Sequence, residues 1–136
     1  MGNVLKISEA ASIALHAMFV MSQIKDELIS VKEIAEILDI SANHLSKVLQ
    51  RLVKAELVVS VKGFNGGFKL AKNPENITFL DIYEAIDGRF HPSSCLLNKL
   101  ECQHICIMGG FLKSLNSQVE EFFSKTKLSE FSTKKE

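Results

Sequence analysis

Residues 30–71 read "SVKEIAEILDISANHLSKVLQRLVKAELVVSVKGFNGGFKLA", and this stretch decides the fold. Ser30 with Glu33 three positions later forms a capping-box pattern, in which hydroxyl and carboxylate each satisfy an end-of-helix amide. Ile34, Ala35 and Leu38 then repeat at helical spacing, so a short amphipathic helix is predicted. Asp39 and Ile40 make a tight turn into Ser41, a good N-cap for a second helix. In that helix Leu45, Val48, Leu49 and Leu52 fall at i, i+3, i+4 and i+7, which makes one inward stripe. The opposite face carries Ala42, Asn43, Ser46, Lys47, Gln50, Arg51 and Lys54, mostly cationic or neutral polar and free of carboxylates.

Two helices joined by a tight turn also describe an ordinary helical hairpin. The segment after them narrows the choice. Two short β-rich runs flank Gly63-Phe64-Asn65-Gly66-Gly67, where glycines permit positive φ and close backbone approach. A β-hairpin with a cationic shoulder is therefore predicted directly after the helix pair. From residue 40 to residue 72 the basic residues are Lys47, Arg51, Lys54, Lys62, Lys69 and Lys72, against the single acid Glu56. The formal net charge of the whole chain is zero, so this +5 segment is a strong local asymmetry that would draw a polyanion.

Outward from this core, residues 8–23 predict a helix apolar nearly all round, which needs cover on every side; a partner subunit could supply part of it. Thr78 with Asp81 caps another helix, "FLDIYEAID", stopped at Gly88. All three cysteines, Cys95, Cys102 and Cys106, follow within one short stretch. Beyond them Met108, Leu112, Leu115, Val119 and Phe122 step by four and three, a coiled-coil-like seam enlarged by Phe111 and Phe123. Burial within its own subunit and self-association both suit such a seam, and self-association is favoured.

At 136 residues, 46% apolar and with few Gly and Pro, the chain can bury a sizeable, mainly helical core. Lys6 before "ASIALHAMFVM" could mimic a signal peptide, but that run carries His16, lacks a small-residue cleavage site and is too short to span a bilayer. A cytoplasmic protein without membrane contact is expected, where clustered thiols are metal-binding or redox-active more often than disulfide-bonded. There is no C-x-x-C pair, no phosphate-cradling Gly-rich loop and no H-E-x-x-H, so an enzyme is not expected.

Helix pair, Gly-rich hairpin and cysteine stretch in this order resemble the Rrf-two family of winged helix-turn-helix transcription regulators. The resemblance runs from about Leu5 to about Leu128, and its most specific parts are residues 30–63, the Gly-rich wing and "ITFLDIYEAIDG". It implies a mainly α fold: a winged helix-turn-helix DNA-binding domain over residues 1–88, a cysteine-containing sensor loop over 89–107, and a dimerisation helix with tail over 108–130. It also implies a homodimer on double-stranded DNA, gripping a pseudo-palindromic site. Asn43, Ser46, Lys47, Gln50 and Arg51 of the recognition helix, with Lys62, Asn65 and Gly66 of the wing, are the DNA-contact candidates. The family's wing tip usually reads Gly-Pro-x-Gly-Gly; here Phe64 replaces the proline, and either lies along a sugar–phosphate edge or packs on its own domain.

Iron–sulfur members of the family typically show C-x5-C-x5-C, whereas this chain has C-x6-C-x3-C. Cys95, Cys102 and Cys106 could hold an iron–sulfur cluster, with a fourth ligand from His16 or, alternatively, His104. His16 could equally be a buried, hydrogen-bonded interface histidine. The same donors suit a structural zinc, and metal-free, reversibly oxidised thiols are a third possibility. With zinc holding the loop, the winged helix could instead serve as a protein-interaction module.

Overall fold

The computed structural model describes residues 7–24, 27–91, 107–108 and 110–131. Cys95, Cys102, Cys106 and His104 lie outside these residues. The described chain is mainly helical: α1 (Glu9–Ser22), α2 (Val31–Leu38), α3 (Ala42–Lys54), β1 (Val58–Val61), β2 (Gly67–Leu70), α4 (Phe79–Asp87) and α5 (Phe111–Lys125). Short 3-10 turns occupy Pro74–Asn76 and Leu128–Phe131.

Local chemistry sets the helix starts. The Ser30 hydroxyl accepts from the Glu33 amide at 3.1 Å while the Glu33 carboxylate accepts from the Ser30 amide at 3.0 Å. Thr78 and Asp81 make the same reciprocal pair at 3.0 Å each. Ser8 and Ser41 cap α1 and α3 through Ala11 and His44 amides. Asp39 ends α2 in the left-handed region, φ 57°, which turns the chain at once into α3. Glu56 does the same after α3, φ 66°, and Leu57 donates to the Leu52 carbonyl at 3.0 Å to close the end.

β1 and β2 pair antiparallel with Val58 opposite Leu70 and Val61 opposite Gly67. Ile29 adds a two-bond bridge to Phe68, so the hairpin is anchored on the residue just before the Ser30 cap of α2. The approach is close: a Cβ on Gly67 would lie 2.8 Å from the Ile29 carbonyl oxygen.

One hydrophobic cluster unites these elements. Met18 of α1, Ile34 of α2, Leu45, Leu49 and Leu52 of α3, Ile77, and Ile82 of α4 are fully buried in it. The four predicted inward positions of α3 are all buried. Helix α5 joins through Phe123, whose ring meets Phe79 and Tyr83 edge-on, and Val119 packs against the same cluster. The sequence placed Val119 and Phe123 on a self-association seam, and within the described chain they serve the protomer's own core. Phe111 and Phe122, at 58% and 53% exposure, remain outside it.

Candidate nucleic-acid interface

The stripe that buries α3 fixes what its other face presents. Asn43, Lys47, Gln50 and Lys54 are exposed and Ser46 half-buried, all on the side away from Leu45, Val48, Leu49 and Leu52. Ser41 caps the helix without a carboxylate, so its first turn, with Asn43, keeps backbone amides and the positive end of the helix dipole outward.

Arg51 lies on the same helix but is engaged elsewhere. Its guanidinium donates to the Ile86 carbonyl near the C-terminus of α4. That contact joins α3 to α4 across 35 positions of sequence. The last residue of α4, Asp87, accepts from the Ser8 hydroxyl at 2.6 Å and from the Ser8 amide at 3.2 Å. The end of α4 is thus held by both α3 and α1. Burial raises the Tyr83 phenol above its usual pKa, with the Asp87 and Glu84 carboxylates adding to the effect. These α4 contacts were missed by sequence reasoning, because periodicity shows which face a side chain is on and not which distant element crosses it.

The wing carries the remaining candidates. Lys62 and Asn65 are exposed, and Gly66 closes the tip by donating to the Gly63 carbonyl at 3.1 Å. A Cβ on Gly66 would sit 2.0 Å from the Val61 carbonyl oxygen, so its role is to let the turn close. Phe64 is fully exposed, which excludes packing on its own domain.

His16 is exposed on α1, with Nδ1 2.7 Å from the Ser12 carbonyl oxygen. That partner orients the ring and leaves Nε2 as the free nitrogen, an arrangement suited to a ligating imidazole. The alternative of a buried His16 concerns an interface with a second copy of the chain; in the single described chain His16 is at the surface. It borders an apolar groove of about 630 Å³ formed with Leu15, Phe19, Phe79, Phe122, Leu128 and Phe131. Among the described residues, no helix is long and apolar enough to cross a membrane.

Residues 7–134 match the family described as Rrf2, iron-dependent transcriptional regulator. A protein of Aquifex aeolicus named as an HTH-type transcriptional regulator is 37% identical over 123 residues, 88% of this chain and 85% of that one. The regulator NsrR of Halalkalibacterium halodurans is 36% identical over 98 residues, 70% of this chain and 67% of that one. Among solved structures, CymR, the global cysteine regulator of B. subtilis, has the same fold, with a TM-score of 0.82 at 24% identity over 97% of this chain and 99% of that one. T. potens IscR gives a TM-score of 0.72 at 26% identity over 92% of this chain and 84% of that one. The winged helix-turn-helix architecture is common to these structures, and the relatives are regulators and not enzymes. With a family match across residues 7–134, this chain belongs to the Rrf2 family of transcriptional regulators.

Proposed function

We propose that the chain acts as a homodimeric DNA-binding regulator in which α3 enters the major groove, the wing lies beside it, and the cysteines tune the affinity. The carrying observation is the carboxylate-free, exposed face of Asn43, Lys47, Gln50 and Lys54, backed by four buried apolar side chains that fix its orientation. Asn43 and Ser46, in the first turns of α3, are closest to base edges in such a docking, while Lys47 and the wing's Lys62 meet phosphates. Asn65 and Gly66 bring the wing backbone close to the sugar–phosphate chain.

Self-association is supported by the apolar surface left uncovered around α5. Phe111, Phe122 and Phe131 are each more than 40% exposed, and Phe122 and Phe131 border the groove on α1. A second copy of the chain covers this surface and sets two recognition helices side by side.

Cys95, Cys102 and Cys106 are the thiolate donors for an iron–sulfur cluster, and the family's description as iron-dependent favours this over zinc. His16, with its ring oriented by Ser12, supplies the fourth ligand in this proposal, and His104 is the alternative. When bound, such a cluster would confer sensitivity to redox state or small reactive molecules.

The DNA proposal is tested by mobility shift against salt. Specific duplexes selected by the protein should bind with a steep salt dependence, and Lys47→Ala and Lys62→Ala should each lower the slope by about one. Unchanged affinity in both variants would refute this surface. The cluster proposal is tested by the absorption spectrum of anaerobically purified protein with iron, sulfide and zinc counted; one zinc without iron would refute it.

A further inference from the structure

We propose that Phe64 is an apolar wedge for the DNA minor groove, held ready at the wing tip; the inference rests on the DNA-binding function proposed above. The ring is fully exposed, the highest value of any large apolar side chain described. The backbone beneath it is a closed turn. Gly63, at φ 112°, and Gly66 bracket Phe64 and Asn65, and the Gly66 amide closes the turn on the Gly63 carbonyl at 3.1 Å. The turn is packed so tightly that a Cβ on Gly66 would come within 2.0 Å of the Val61 carbonyl oxygen. An aromatic ring left wholly in water gains no burial in the free protein, and a partner that covers it removes that apolar surface from water.

The partner follows from what surrounds the ring. Lys62, two residues before it, is exposed, and the hairpin belongs to the segment that carries +5 net charge. Val59 and Val61, at 37% and 40% exposure, fall on one face of β1 and continue the apolar edge from the tip. A cationic base with an apolar tip matches a phosphate chain bordering a groove walled by sugars. Position names the groove. An α-helix about 10–12 Å across fills a major groove about 12 Å wide. The hairpin leaves α3 after only Ala55–Leu57 and extends about 13 Å along its four-residue strands. What lies beside an occupied major groove, across one phosphate chain, is the minor groove. There an inserted Phe partly unstacks a base step and favours sequences with a deformable step at that place.

The test uses duplexes selected from a random-sequence pool by the parent protein, with 2-aminopurine placed at steps flanking the major-groove site. Parent, Phe64→Ala and Phe64→Trp are compared. The expected result for Phe64→Ala is about tenfold weaker binding, an unchanged salt slope, an unchanged thermal midpoint and loss of the 2-aminopurine signal. Phe64→Trp retains the signal. Equal affinity and equal fluorescence in the parent and Phe64→Ala overturn the wedge while leaving DNA binding in place. A fall in salt slope with Phe64→Ala also overturns it, since the ring would then be acting by placing Lys62. Failure of the parent to select any duplex overturns the DNA-binding function and the wedge together.

Discussion

Arg51 donates to the Ile86 carbonyl, where a cation meets the negative end of the α4 dipole. Truncating it leaves that carbonyl without its charged donor and loosens α3 against α4. Arg51→Ala is expected to cost about 1–2 kcal/mol, a drop of roughly 5 °C in thermal midpoint. Operator binding should weaken alike for all single-base variants of the site, because the helix shifts as a body. Loss of discrimination at one base pair, with the midpoint unchanged, would instead make Arg51 a base reader. The helical period of α3 is explicit in the sequence and keeps Arg51 off the buried stripe of Leu45, Val48, Leu49 and Leu52. That the end of α4 lies within reach of this side chain is a property of the folded chain, since the two partners are 35 positions apart and no local pattern links them. Phe64 shows the opposite case: its exposure follows from the turn chemistry of Gly63 and Gly66, but its lack of a packing partner is visible only in three dimensions.

At the scale of elements, each helix start follows from a few side chains, which is why the boundaries of α2, α3 and α4 were legible. Ser30 with Glu33, Ser41, and Thr78 with Asp81 satisfy amides that any helix leaves open, whatever packs on it. The end of α3 is less economical. Glu56 occupies the left-handed position, φ 66°, that glycine takes most easily. Glu56→Gly is expected to stabilise the chain by about 0.5–1 kcal/mol, after the entropy gained by glycine in the unfolded state is set against the relieved strain. It also removes the only acid in the cationic segment and should tighten DNA binding modestly at low salt. Calorimetry and a salt titration read the two effects separately; a lower midpoint would mean that the Glu56 conformation carries no strain. Helix α5 was only partly legible. Its apolar positions step by three and four whether they face a partner or the home core, so periodicity could not divide Val119 and Phe123 from Phe122. Burial settles that division: both phenylalanines meet Phe79 edge-on, but Phe123 is 7% exposed and Phe122 53%.

For the whole molecule, the dimer and the cysteines have to be considered together. Phe122 is the better probe of self-association, because Leu115 and Val119 are half-buried and a charge there would also injure the protomer. Phe122→Glu should keep its helical spectrum, sediment as a monomer at concentrations where the parent is a dimer, and bind operator at least about a hundredfold more weakly, since two linked half-sites are lost. A Phe122→Glu dimer with parental DNA affinity would place the interface elsewhere. The cysteines lie in the chain between Asp87, the end of α4, and Phe111, the start of α5. One side of that connection is fastened to α3 by Arg51 and to α1 by Asp87 with Ser8. The other side leads into the helix that carries the exposed Phe111 and Phe122. A metal centre on Cys95, Cys102 and Cys106 would therefore link the proposed DNA-reading head to α5, which carries the proposed self-association surface. Two recognition helices must sit about 34 Å apart to dock in successive major grooves, so a small change in that link spoils simultaneous binding. Moving occupancy from mostly bound to mostly free takes only about 5 kcal/mol of differential stability, within the worth of a metal–thiolate centre. Cys102→Ala is expected to lose iron and change operator affinity together, measured as metal content and Kd on the same preparation. A variant lacking all three thiols that binds operator as the parent does, under both oxidising and reducing conditions, would make the cysteines structural and remove the switch.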